Sequence, residues 1–442
     1  MHNLFILILA FLCLLMFILP TGKKFGVLLA AGLCLYEYSL PFKLGSCIVC
    51  VPLCFVLSEY RNIFKIVKSY QKTVLGITFM IGILSIVESV IASPSIRNGL
   101  SSFILYVLGQ ITGRYVLLFA ALTSISSKES IVNTYKITFF ACFVMFLFGL
   151  SNLIMHHSLY VDWLYDGQKV VDYLEDAGAM YADRERFRVQ GTFHNPFDYG
   201  YSCIAMLLFF WYGYLKSYVR KSTFILTALF SLFGILTCNC RTVYFVFVMS
   251  VIVFAYMYFP VGLILRRLGY AIMVIILSVM FIPQVNEKYE LMMSMFSQNS
   301  QTEGSSLEMR SIQILSVLGY LDGHELLGNG VGYFSNELGF SDGKTGRVDI
   351  TLAGMEGSYL MSLLETGYLG TILYFGLILY VLLWAWKKRK VDRSSSAFLF
   401  VLYFSFLIFG IMTGELRSAY ITFLLGGFAI FEYYKNINFL RV

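Results

Sequence analysis

Arg188-Val-Gln-Gly-Thr-Phe-His-Asn-Pro196 separates two kinds of sequence. Behind it, 197–215 is apolar for long enough to enter a bilayer. Ahead of it, 155–196 is polar and holds Asp162, Asp166, Asp172, Glu175, Asp176, Asp183 and Glu185. A second polar segment, 284–355, interrupts the later chain in the same way. Elsewhere the chain is a succession of apolar runs, near 3–20, 25–38, 42–58, 73–92, 102–125, 133–154, 197–215, 222–238, 242–259, 268–283, 357–386, 396–412 and 417–434. Crossing a hydrocarbon core of roughly 30 Å takes about 20 helical residues. The runs therefore predict an all-α polytopic integral membrane protein with about 12–13 transmembrane helices, the short second run being the doubtful one. Residues 1–442 read as a single membrane domain with large outer loops at 155–196 and 284–355.

Composition agrees. Of 442 residues, 58% are hydrophobic and 13% charged, and the mean hydropathy is +0.74. A soluble domain carries about 25% charged residues. The net charge of +7 reports orientation in such a chain, because no soluble basic domain exists to hold nucleic acid. Lys23-Lys24, Arg61/Lys65/Lys68/Lys72, Lys216/Arg220/Lys221, Arg266-Arg267 and Lys387-Lys388-Arg389-Lys390 with Arg393 lie in short connectors. The positive-inside rule places them all in the cytoplasm and both polar segments outside. The first 20 residues lack a basic start and a small-residue cleavage site, so they read as a retained helix. Nine cysteines all lie in or beside apolar runs. The Cys47-x-x-Cys50 pair has no histidine nearby and reads as packing rather than as a redox or metal pair.

Arginines on the outer side carry most of the chemical information. A guanidinium stays charged and grips phosphate oxygens two at a time. Arg188 precedes a membrane entry, Arg241 opens a span after Cys240, and Arg310 lies early in a stretch, Ser305–Tyr320, whose apolar spacing predicts a helix. Arg184 and Arg186 are flanked by Asp183 and Glu185 and read as solvated charge. Arg114 falls inside a span. A central arginine costs about 2.5–3.5 kcal/mol on insertion scales, so it should face a cavity or a partner, and Glu88 is one candidate partner. His194, His324 and Glu356 are possible acids, bases or substrate contacts. Glu356 stands at a helix start, where a carboxylate also favours the helix dipole. Gly328-Asn-Gly-Val-Gly332 lacks a βαβ context and reads as a loop that permits close backbone approach to a ligand or another segment.

Four stretches in order resemble the O-antigen polymerase and ligase superfamily. Arg188-Val-Gln-Gly-Thr-Phe-His-Asn-Pro196 is similar to its Arg-x-x-Gly-Thr-Phe-x-Asn-Pro stretch. Cys240-Arg241-Thr242 resembles its Ser-Arg-Gly/Thr segment. Arg310 followed by His324-Glu-Leu-Leu-Gly-Asn-Gly-Val-Gly332 resembles its large-loop pattern, and Glu356-Gly-Ser-Tyr359-Leu360 its His-Asn-x-Tyr-Leu stretch. Order and spacing match over about 185–375.

The resemblance implies a GT-C-type glycosyltransferase in a bacterial cytoplasmic membrane, metal-independent and without a cofactor. Its donor is a glycan on undecaprenyl diphosphate. Arg188, Arg241 and Arg310 are carried over as diphosphate contacts. His194, His324, Arg114 and Tyr359 are further substrate-binding candidates. The family's ligases carry His-Asn where this chain has Glu356-Gly357. A glutamate there can still serve as general base, and the change points to the polymerase side. The expected function is polymerisation of lipid-linked repeat units for O-antigen, capsule or exopolysaccharide, beside a flippase and a chain-length regulator. A ligase of finished glycan is the nearest alternative. A lipid-linked oligosaccharide flippase is the alternative from another class; it would predict charge along a transmembrane path and internal pseudo-symmetry.

Overall fold

The computed structural model describes residues 2–35, 47–93, 100–165, 187–193, 195–260, 307–338, 352, 355, 357–413 and 418–436, with isolated positions between 280 and 290. Every regular element among them is helical. In chain order these are α1 (His2–Ile18), α2 (Thr21–Cys34), α3 (Cys47–Tyr70), α4 (Val74–Ala92), α5 (Leu100–Gln110), α6 (Leu117–Ser124), α7 (Lys128–Met155) and α8 (Leu159–Tyr165). Then come α9 (Pro196–Leu215), α10 (Lys221–Thr237), α11 (Arg241–Tyr258), α12 (Leu307–Tyr320), α13 (Ser358–Lys388), α14 (Arg393–Met412) and α15 (Ala419–Asn436). Single π-helical turns cover Ile111–Tyr115 and Tyr333–Glu337. The helix expected over Ser305–Tyr320 is present as α12.

Among the described residues five helices, α4, α7, α11, α13 and α14, are long and apolar enough to cross a membrane. The pair α5–α6, bent by 49°, makes a sixth if it is one span. The expected count of about 12–13 relied on the apolar runs alone. Two of those runs, α9 and α15, carry too much polarity to pass the same test, and burial explains why they can. In α9, 15 of 20 residues are buried, and in α15 every residue from 419 to 434 is buried. A helix buried all round meets protein rather than lipid on its polar positions. Tyr201 shares a hydrogen bond with Thr422 at 2.7 Å, and Tyr212 with Ser395 at 2.9 Å. The Tyr420 hydroxyl donates to the Leu28 carbonyl at 2.9 Å. Gly32 leaves room for the Tyr420 ring, and Gly427 lets α15 lie against the α6 backbone at Leu118.

The bundle has two distinct ends. One gathers the short basic connectors. There Lys24 donates to Glu59 at 2.6 Å, both 4% exposed, and Arg393 donates to the carbonyls of Met257 and Phe259. The other gathers the helix ends that lead into the two polar segments. Thr192 donates to the Leu33 carbonyl at 2.6 Å, the Gly191 N–H donates to Asn152 Oδ1, and the Ser358 N–H donates to the Thr413 carbonyl.

At the basic end Asp392 caps α14. It accepts from the Ser395 N–H and hydroxyl, from the Ser394 hydroxyl, and from Lys216 Nζ at 3.1 Å. Burial alone would raise its carboxyl. The Ser395 hydrogen bonds and the Lys216 ammonium overcome that and hold it down at about 2. An unfolded aspartate titrates near about 3.9, so this contribution is complete above about pH 4 and is lost as pH falls through about 2. Asp392→Ala should cost about 2 kcal/mol, and Asp392→Asn, which keeps one cap acceptor, about half as much. Thermal unfolding in detergent checks this, and wild-type stability for Asp392→Ala would refute it. The loss should be equal at pH 5 and pH 8.

Candidate functional site

The site is made by helices that break. The span begun by α5 tightens at Gln110, passes through the π turn with the Val116 N–H donating to the Ile111 carbonyl at 2.9 Å, and leaves as α6 at 49°. Such turns widen the ladder by one residue and recur at functional sites. Here the turn carries Arg114. Gly82 on α4 has no Cβ, and the Tyr115 ring fills that space. The other side of the turn is thereby wedged, and the Arg114 guanidinium lies 5.7 Å from the centre of the Tyr374 ring on α13.

α13 breaks as well. Gly367 has φ 63° and ψ −165°, a conformation open only to glycine. In the resulting gap lies the glycine-rich loop of the second polar segment. The Asn329 N–H donates to the Leu364 carbonyl at 3.0 Å and the Gly330 N–H to the Glu365 carbonyl at 2.8 Å. Beyond the break, the Tyr368 N–H donates to the Glu325 carbonyl and the Leu369 N–H to the Leu326 carbonyl. Gly328 and Gly367 meet backbone to backbone: a Cβ on either would sit 2.5 Å from the other's nitrogen. The loop does approach another segment closely, as its composition predicts, and that segment is a broken helix.

Between the two breaks lies a cavity of about 150 Å³. Arg114, Gln110, Tyr106 and Tyr374 line it with Ser85 and Ser89 of α4, and Ser362, Glu365 and Thr366 of α13 close the far wall under Val331. Glu365 Oε1 accepts from the Gly332 N–H at 3.0 Å, at the head of the second π turn. Glu88, 4% exposed, stands against Gly370 in the cavity wall. Among the described residues neither of its carboxyl oxygens has a hydrogen-bond partner, and neither has the Tyr374 hydroxyl. The expected Glu88–Arg114 pair is therefore not made. The two residues share a neighbourhood through α13 without meeting.

A second constellation lies at the same end of the bundle. The Val189 N–H donates to the Thr237 carbonyl, and Asn239 Nδ2 donates to the Phe187 carbonyl at 2.6 Å. These bonds lay 187–189 antiparallel beside 237–239, which brings the backbones carrying Arg188 and Arg241 together. Arg188 lies 5.8 Å from the centre of the Phe197 ring. The remainder of the motif is anchoring. Gly191, at φ 59°, makes room for the Tyr199 ring, and Thr192 and Phe193 are buried. Asn195 caps α9 by accepting from the Asp198 N–H at 2.8 Å, with Pro196 in the first turn, as the Asn-Pro order predicts. The Ser418 hydroxyl donates to Asp198 and ties the cap to the start of α15.

The other candidates divide. His324 is exposed in the turn that follows α12, where its carbonyl accepts from the Gly328 N–H. Tyr359 packs in a small cluster with Val317, Leu321 and Leu360. Neither lines the cavity. The backbone of Arg310 lies in α12; its side chain, together with His194 and Glu356, lies outside the described residues. Reading the sequence for candidates passed over Gln110, Tyr374 and the hydroxyls around Arg114. The signal was present for Glu365: an acid two residues before a glycine inside an apolar run.

The backbone contact is testable. Gly328→Ala and Gly367→Ala should each loosen the loop by about 1–3 kcal/mol. Gly319→Ala, whose added methyl meets nothing within 4 Å, should be neutral or slightly stabilising. Limited proteolysis in membrane vesicles at the exposed turn 322–326 reads the difference, and equal cleavage rates for all three variants would remove the docking role. Comparison of the sequence with protein-family models gives no match, and comparison with curated proteins gives no significant relative.

Proposed function

We propose that this chain polymerises undecaprenyl-diphosphate-linked oligosaccharide repeat units by inverting glycosyl transfer at the outer face of a bacterial cytoplasmic membrane. The observation that carries the reading is the gathering of chemistry at one end of the bundle. The Arg188–Arg241 pairing and the cavity of Arg114 and Glu365 both lie at the end from which the two polar segments emerge. With the basic connectors at the other end facing the cytoplasm, this end faces outward.

In this reading Arg188, Arg241 and Arg310 hold the diphosphate. It is the leaving group, and fixed cations stabilise the charge that develops on it. The acceptor hydroxyl attacks the anomeric carbon from the opposite side. Glu356, at the entry to α13, takes its proton. The start of α13 itself is held by the Ser358 hydroxyl donating to the Gly410 carbonyl at 2.6 Å.

One observation favours a second reading. Two broken helices facing an ionisable cavity are also a transporter's way of building a substrate site. A strain lacking the protein separates the readings. A single repeat on its acceptor with the long ladder gone supports the polymerase. Full-length polymer stranded on undecaprenyl diphosphate means ligase, and repeat units trapped in the cytoplasm mean flippase. In the polymerase case, Arg188→Ala and Arg310→Ala should reduce polymer at least about 100-fold at normal protein level. Unchanged ladders in both would remove the diphosphate clamp.

A further inference from the structure

The Arg114 cavity has more polar structure than a packing defect requires. Ser85, Ser89, Ser362, Thr366, Tyr374 and Gln110 are all among its lining residues. The Tyr374 hydroxyl, and the Glu88 carboxyl behind Gly370, are buried and have no hydrogen-bond partner among the described residues. Buried polar groups in native proteins are nearly always bonded, to protein, water or ligand. Short hydroxyls and one amide, each able to donate and accept, suit a ligand that is itself rich in hydroxyls. The aromatic faces of Tyr106, Tyr115 and Tyr374 supply flat apolar surface beside them.

Size and charge narrow the class. A water occupies roughly 10–15 Å³ of such space, so about 150 Å³ holds about ten to fifteen non-hydrogen atoms, one sugar ring. Among the described lining residues Arg114 is the single cation. Glu365 already stands in the same wall, and Glu88 stands behind Gly370. A diphosphate would set two or three negative charges against one guanidinium and these carboxyls at low dielectric. A ligand with one negative charge and several hydroxyls meets the arginine through its anion and the carboxyls through its hydroxyls. Val331 and Glu365 both line the cavity, and the Glu365 carboxylate is held by the Gly332 N–H. The site is therefore preformed rather than assembled on binding.

We propose that this cavity is a subsite for a monoanionic polyol, namely an acidic sugar of the repeat unit such as a uronic acid. The inference rests on the polymerase reading for its source of ligand, and it separates this subsite from the diphosphate contacts at Arg188 and Arg241. The same chemistry could come from the headgroup of an anionic phospholipid, so the test holds both sources.

The full-length protein is placed in phosphatidylcholine nanodiscs, and its thermal midpoint is followed against glucuronate, glucose and inorganic diphosphate. Glucuronate should raise the midpoint while glucose and diphosphate should not. Arg114→Gln should weaken glucuronate binding by about tenfold or more, and Tyr374→Phe by a smaller factor. Tyr374→Phe keeps the ring, so it serves if the arginine variant does not fold. Stabilisation by phosphatidylglycerol nanodiscs, with no response to glucuronate, would overturn the sugar assignment, as would an equal response to diphosphate. The polysaccharide of the parent strain gives the second arm, since its repeat unit should contain an acidic sugar. A neutral repeat unit in a strain whose ladder depends on this protein overturns the subsite and leaves the polymerase standing. A ladder that survives deletion of the protein overturns the polymerase, while the nanodisc titration still decides the chemistry of the cavity.

Discussion

A helix broken inside a bilayer frees backbone N–H and C=O groups that lipid cannot satisfy, and the break at Gly367 is the constraint around which this end of the bundle is organised. The freed groups of α13 are met by main-chain groups of Glu325, Leu326, Asn329 and Gly330. Residues 325–330 are therefore built into the break in α13 rather than resting on it. The glycines at 328 and 367 follow from the same demand, because two backbones can come this close only where neither carries a Cβ. Glu365 then falls where its carbonyl joins this pairing and its carboxylate takes the Gly332 N–H. Glu365, an acid inside an apolar run, is thus the latch between α13 and the Gly332 turn.

The Arg188 turn obeys a similar logic by other means. Its glycine, threonine and asparagine are spent on anchoring: to Asn152, to the Leu33 carbonyl and to the first turn of α9. α9 is in turn fixed by hydroxyl contacts with α14 and α15. Hydroxyl pairs between buried helices are each worth on the order of 1 kcal/mol. Their larger effect is on register, since a helix that slid by one turn would leave every one of them unpaired. The position of Arg188 is set through this chain of contacts.

The sequence discloses what depends on near neighbours along the chain. The apolar runs, the cap at Asn195-Pro196, the helix over 307–320 and the crowding at the glycine-rich loop are local or periodic features, and the structure contains them. The gathering of basic connectors at one end follows from the alternation of helices. The cavity does not show in this way. Its walls come from residues 85 to 374, and periodicity reports which face of a helix is buried but not what lies opposite. Glu88 and Arg114 occupy adjacent runs and have opposite charge, which suggested a pair. The π turn rotates Arg114 toward α13 instead, and a π turn has no signature in composition. α9 and α15 are apolar runs that fall short of a lipid-facing span for a related reason: their polar positions are tolerated because protein surrounds them.

The closed state of the basic end bears on the choice between chemistry and transport. A carrier must open toward each side in turn. Here Lys24 and Glu59 join α2 to α3, Lys216 with Asp392 and Ser395 joins α9 to α14, and Arg393 joins α14 to the end of α11. Removing one partner of a fully buried pair such as Lys24–Glu59 costs about 3–5 kcal/mol, and the other two contacts add smaller terms. At the opposite end the roof is stitched to α13 by main-chain bonds rather than by side chains that could exchange partners. Main-chain bonds of this kind hold Glu365 and the wall it belongs to in one position.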